Sequence, residues 1–116
     1  MGVNLSGANL HRADLSGAFL IRANLSRANL TQANLTKAFL ILANLHQSCL
    51  TEANLSQTNL TKANLSEVSG FAEAVFGQTI LTGAILPQRT ILVQVCRRLR
   101  FGIPKIAIST WTKSLS

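Results

Sequence analysis

The residues able to carry chemistry are few and scattered along the chain. His11 and His46 are its only histidines, and so its candidate imidazole ligands or general bases. Asp14, Glu52, Glu67 and Glu73 are its only carboxylates, so any acid–base pair or oriented triad must draw on these four. Serine and threonine hydroxyls are plentiful, but a hydroxyl becomes a nucleophile only where a base takes its proton. Two cysteines, Cys49 and Cys96, do not make a disulfide framework, and a reducing cytoplasm is the compartment they imply. Cys49 has no basic neighbour in sequence and reads as an inert thiol. Asn-Leu-Ser at Asn4, Asn24 and Asn54 matches the glycosylation acceptor, and Met1-Gly2 with Ser6 matches the myristoylation pattern. Which of these groups meet is decided by the elements that carry them.

Those elements follow a period of five. Leucine stands at every fifth position from Leu5 to Leu65. With each leucine as position i, position i−2 is alanine except at Val3, Ser48 and Thr58. Position i−1 is mostly Asn, i+1 mostly Ser or Thr, and i+2 variable and often polar. On a helix, leucines five apart wander around every side and leave no apolar stripe. On a straight strand, odd spacing sends successive leucines to opposite faces. The pattern fits a chain that turns once per pentad, with alanine and leucine inside and the other positions outward or at the corner. Past Leu65 the series slips by one residue, and Val68 is the simplest extra residue. The pentads then run Ser69–Glu73, Ala74–Gln78, Thr79–Gly83 and Ala84–Gln88, centred on Phe71, Phe76, Leu81 and Leu86, until Pro87 ends the series. An inserted residue is expected to bulge outward and leave the core in phase.

A longer echo sets the coil. Ala18-Phe19-Leu20-Ile21 returns twenty residues later as Ala38-Phe39-Leu40-Ile41. Four pentads per coil would put Phe19 directly beneath Phe39, about 4.8 Å away. In that phase His11 and His46, seven pentads apart, lie on different sides of the column, which excludes a metal site between them. No histidine is expected to stack on a hydroxyl beside a carboxylate, so no nucleophilic triad emerges. The glycosylation and lipidation matches are by-products of the repeat. No catalytic, cofactor-binding or metal-binding residue is expected, and the chain does not read as an enzyme.

The run of Ala-Asn-Leu-Ser/Thr-X units over residues 3–88 is similar to the pentapeptide-repeat proteins, widespread in bacteria and especially in cyanobacteria. The resemblance implies an all-β solenoid, a right-handed quadrilateral β-helix of about four coils and roughly 20 Å in height. It also implies a structural or protein-interaction module. Some members of that family act on DNA gyrase as mimics of DNA, a role that needs a strongly acidic surface.

Charge divides the chain into two segments. Apolar residues make up 47% and charged ones 13%, a balance that argues for an ordered repeat rather than disorder. Residues 1–88 hold five basic and four acidic side chains, a net of +1, which leaves DNA-mimic binding to a topoisomerase as the least favoured alternative. Residues 89–116 hold six basic side chains and no acid, a net of +6. No signal segment and no membrane-spanning apolar run is present. In the tail, Thr90 is placed to cap a helix with Ile91, Leu92, Val95, Cys96 and Leu99 on one side, ending at Gly102. A short C-terminal helical cap over the last coil is the expectation. The alternatives are an amphipathic helix on an anionic membrane surface, or nucleic-acid contact through Arg97, Arg98, Arg100 and Lys105. At the other end Val3-Asn4-Leu5 is already a repeat, and the expectation is either that this end meets a partner or that the chain is a piece of a longer array.

The informative departures are on the outside. Phe19, Phe39 and Cys49 replace Asn at i−1, and Ile21, Ile41 and Leu42 stand where polar residues are usual. Phe19, Ile21, Phe39, Ile41 and Leu42 are the candidate interface, because four-pentad coiling stacks them on one side. Either the chain's own tail around Ile103, Ile106, Ile108 and Trp111 covers them, or another molecule does, as in a homodimer. No small-molecule substrate is expected, and the partner is left open.

Overall fold

The computed structural model of the chain describes residues 2–87. Each pentad begins with a corner. The Ala8 N–H donates to the Leu5 carbonyl at 3.0 Å, and the same bond recurs at Ala28–Leu25 (3.1 Å) and Ala63–Leu60 (3.0 Å). Position i+2 is left-handed, with φ of 61° at Arg12 and Lys37, 60° at Gln57 and 69° at Gly7. A positive φ at the third residue of a four-residue turn is the type II pattern. Side chains of many kinds hold this conformation, because coils above and below fix the corner.

Between corners, one residue per face pairs with the next coil in parallel register. Asn4 pairs with Asn24, Asn24 with Asn44 and Asn44 with Asn64, and each other face repeats the twenty-residue step. The chain is therefore a four-sided solenoid whose coils span 3–22, 23–42, 43–62 and 63–83, with a fifth begun. We number the faces by their first residues at i−1: Asn4, Asn9, Asp14 and Phe19. Four of the five amide hydrogens in a pentad find backbone acceptors, as for Leu25 to Asn44, Arg27 to His46, Ala28 to Leu25 and Asn29 to Ala8. The fifth, at i+1, is taken by the Asn Oδ1 of i−1, as in Ser26 to Asn24 (3.1 Å) and Thr36 to Asn34 (3.1 Å). Where Asn stands at i−1, this completes the accounting of backbone donors that a packed chain requires, and it explains why Asn dominates that position.

The core is the stack of inward leucines and alanines. Leu25, Leu30, Leu35, Leu45, Leu55 and Leu65 are fully buried, and Ala23, Ala33, Ala53 and Ala63 fill the corners beside them. Burying one leucine side chain contributes roughly 1.5–3 kcal/mol, so the column is held mainly by this stack. Leu5, Leu10 and Leu15 of the first coil are only partly buried. On the outside, Arg12 donates to Gln32 (2.7 Å) and Gln32 to Glu52 (3.0 Å), a ladder climbing one corner. Arg27, Gln47 and Glu67 form a second ladder at the neighbouring corner.

The slip lies elsewhere than the sequence suggests. Val68 is buried in the alanine slot, and Ser69 still pairs with Cys49 twenty residues back. The register becomes twenty-one only at Asn54–Val75. The extra residue is Gly70, left-handed at φ 73°, and Phe71 behind it takes the leucine place at the start of a single 3-10 turn, Phe71–Glu73. A Cβ on Gly70 would run into the Thr51 hydroxyl and lie 2.5 Å from the Thr51 nitrogen. The bulge is outward and the core stays in phase, with Phe71 against Phe76 at 4.7 Å between ring centres. That 3-10 turn is the one helical element among the described residues. The helical cap expected over 89–116, with Arg97, Arg98, Arg100 and Lys105, lies outside the described residues.

Candidate functional site

The five apolar departures do come together. Phe19 and Phe39 pair on the fourth face with ring centres 4.9 Å apart and planes within 3°. Phe19 is 80% exposed and Phe39 37%, while Ile21 and Leu42 are each 43% exposed at the corner that follows. Ile41 is half-buried beside them. Further along the same column come Asn59 and then Ile80, exposed and paired with Asn59. Ile80 was missed by the sequence reading; the signal was the loss of Asn from i−1 in the pentads after the slip. The same loss leaves Val75 and Ile85 exposed on the third and first faces.

Phenylalanine costs this face a hydrogen bond. Where Asn would accept the i+1 amide hydrogen, the Ile21 and Ile41 N–H groups have no acceptor among the described residues. The face is rimmed by positive charge: Arg22 and Lys62 stand above and below Leu42 in one corner column, and Lys37 is at the other corner. The described acids lie elsewhere. Glu67, Glu52 and Glu73 are on corners flanking the opposite, second face, and Asp14 is on the third. Asp14 plays the part of Asn there, and the Ser16 hydroxyl and N–H hold its carboxyl below the usual range.

One expectation about chemistry is overturned. The twenty-residue register stacks His46 on Ser66, with Nδ1 2.7 Å from the serine Oγ and Nε2 3.8 Å from Glu67 Oε2. A histidine does therefore meet a hydroxyl beside a carboxylate. The hydroxyl proton is committed elsewhere, because Ser66 Oγ donates to Asn64 Oδ1 at 2.6 Å. His46 Nδ1 is then the donor to Ser66, the reverse of what nucleophile activation needs. Around this corner Ser6, Gly7, Asn24, Ser26, Arg27, Asn44 and His46 line an open groove of about 460 Å³. No group of three His, Cys, Asp or Glu side chains converges to hold a metal ion among the described residues.

Cys49 sits among hydroxyls on the second face. Burial pushes its thiol up, but the hydroxyls of Thr31 (3.2 Å) and Thr51 (3.5 Å), the Thr51 N–H and Ser69 outweigh it and bring it down to about 7. The sulfur has taken over the acceptor role of Asn, which a thiolate fills better than a thiol.

The model of the family of pentapeptide repeats matches residues 4–40 and 40–69 in eight copies. This chain belongs to the pentapeptide-repeat family. Solved pentapeptide-repeat structures agree. It is similar to HetL, a pentapeptide-repeat protein involved in heterocyst differentiation regulation in the cyanobacterium Nostoc, at 39% identity and a TM-score of 0.68, over 74% of this chain and 39% of HetL. It is similar to Rfr23 of the cyanobacterium Cyanothece at 38% identity and 0.60, over 74% of this chain and 57% of Rfr23. The chain thus spans less than two thirds of either protein. QnrB1, a plasmid-mediated fluoroquinolone resistance protein, shares only the fold, at 15% identity and 0.60. No curated protein matches the sequence. No helix of this pentapeptide-repeat chain, among the described residues, is long and apolar enough to cross a membrane.

Proposed function

We propose that the chain is a non-enzymatic interaction module of the cytoplasm, a rigid column that presents Phe19, Ile21, Phe39, Ile41 and Leu42 to another protein. The observation that supports this is the pair of phenylalanines in Asn positions, where each leaves an amide hydrogen without the usual acceptor. Places where a sequence breaks its own local rule are expected at functional or strained sites. Exposed apolar clusters on otherwise polar surfaces mark contacts between molecules. The His46–Ser66–Glu67 group does not argue for catalysis, since its proton runs the wrong way.

The test is a cross-linking comparison in host cells, with the captured partner purified and rebound in isolation. Phe19→Asn/Phe39→Asn restores the ordinary repeat, so the fold is retained and the purified partner is lost. Equal binding of that variant would remove the face from consideration. Reproducible turnover abolished by a single substitution would overturn the non-enzymatic reading.

A further inference from the structure

We infer that the partner of this face is a protein segment bearing carboxylates beside apolar side chains, an inference that rests on the reading above. The apolar surface comes with a definite electrostatic frame. Arg22 and Lys62 bracket Leu42 in one corner column, and Lys37 stands at the opposite corner of the same face. The described acids occupy the other faces and corners, so nothing negative shares this one. A surface of one sign selects the opposite sign and suppresses like-charged partners.

That criterion separates the occupants. A second copy meeting the first through this face would bring Arg22, Lys37 and Lys62 of each against the same three of the other. The chain's own segment 89–116 carries a net +6 and no acid, the wrong sign to complement this face. An anionic lipid surface satisfies the charge but not the shape. Binding there requires an apolar face sunk about 5–10 Å into the headgroup boundary. Phe39 is 37% exposed and stacked flat on its neighbour, and Asn59, Gln57 and Thr61 in the next coil would be dragged in with it. A protein side chain reaches down to the phenylalanines instead. The column reads apolar at Phe19 and Phe39, polar at Asn59 and apolar again at Ile80, a fixed relief that a structured chain can match.

The substitutions that test this are ones the fold accepts. Asn at positions 19 and 39 supplies the Oδ1 acceptor missing at Ile21 and Ile41, and Asn at Leu42 suits its φ of 61°. The probes are two synthetic amphipathic peptides of about 16 residues with the same leucine stripe, one with glutamate and one with lysine on its polar face. In titration calorimetry with the full chain at low salt, the glutamate peptide is expected to bind at least about tenfold more tightly than the lysine peptide. The difference shrinks as salt is raised. Phe19→Asn/Phe39→Asn loses binding of the glutamate peptide, and Lys37→Glu/Lys62→Glu reverses the preference. Equal affinity for both peptides overturns the charge assignment and leaves the face as a protein contact. Doubling of the mass in light scattering, abolished by Phe19→Asn/Phe39→Asn, replaces the acidic partner with a second copy. Binding to vesicles containing phosphatidylglycerol, with neither peptide bound, replaces it with lipid. If the substituted chain also retains the partner captured in cells, the face itself is wrong.

Discussion

Position i−2 shows how narrowly each residue is placed. Thr58 and Thr79 stand in alanine slots and are fully buried, and each hydroxyl donates to a core carbonyl at 2.6 Å, Leu35 and Leu55 respectively. Ser48 stands in an equivalent slot, equally buried, and its hydroxyl has no partner among the described residues. An unmatched buried hydroxyl costs about 1–3 kcal/mol, so Ser48→Ala is expected to raise stability by about 1 kcal/mol, read as a higher urea midpoint at unchanged slope. Cys49 makes a second prediction. Its folded value of about 7 is below the ordinary 9.0, so the folded chain holds a thiolate that the unfolded chain does not. The resulting stability is present above the ordinary value and lost as pH falls through about 7. In a Cys96→Ser background, the rate of iodoacetamide alkylation at Cys49 should have its midpoint near 7, and Thr51→Val should move that midpoint upward. The role of Asn was illegible from the sequence, because nothing in a period of five reveals which amide hydrogen the corner leaves over.

At the scale of the turn, the left-handed residue is the expensive part. Gly70 carries φ 73° and has Thr51 against it, so Gly70→Ala adds a strained backbone to a steric clash. A loss of about 2 kcal/mol or more is expected in denaturant unfolding, whereas Gly7→Ala, whose Cβ would meet nothing, carries the backbone term alone. The period, the four-sided coil and the Phe19–Phe39 stack were all legible, since each follows from spacing alone. The site of the slip was not. Val68 and Gly70 both restore the period when removed, and only the inward alanine slot, which valine fills, separates them. His46 and Ser66 were legible in principle, because residues twenty apart share one corner of adjacent coils. The grouping of the five apolar residues follows from the twenty-residue step; their cationic frame needed the corners to be assigned to columns first.

For the molecule as a whole, the twenty-residue register has a consequence for length. Each coil contributes its own core leucines and contacts only the coils beside it, as in other stacked repeats. A duplicate of residues 43–62 placed after Lys62 would raise the column by about 4.8 Å and turn nothing. Every side chain beyond it would keep its face and its corner. Such a variant should fold, unfold at a higher denaturant concentration, and keep Phe19, Phe39, Arg22 and Leu42 in their present places. The fold is in that sense a ruler graduated in coils: whatever is joined to its far end can be moved from the apolar face in equal steps, without being rotated about it.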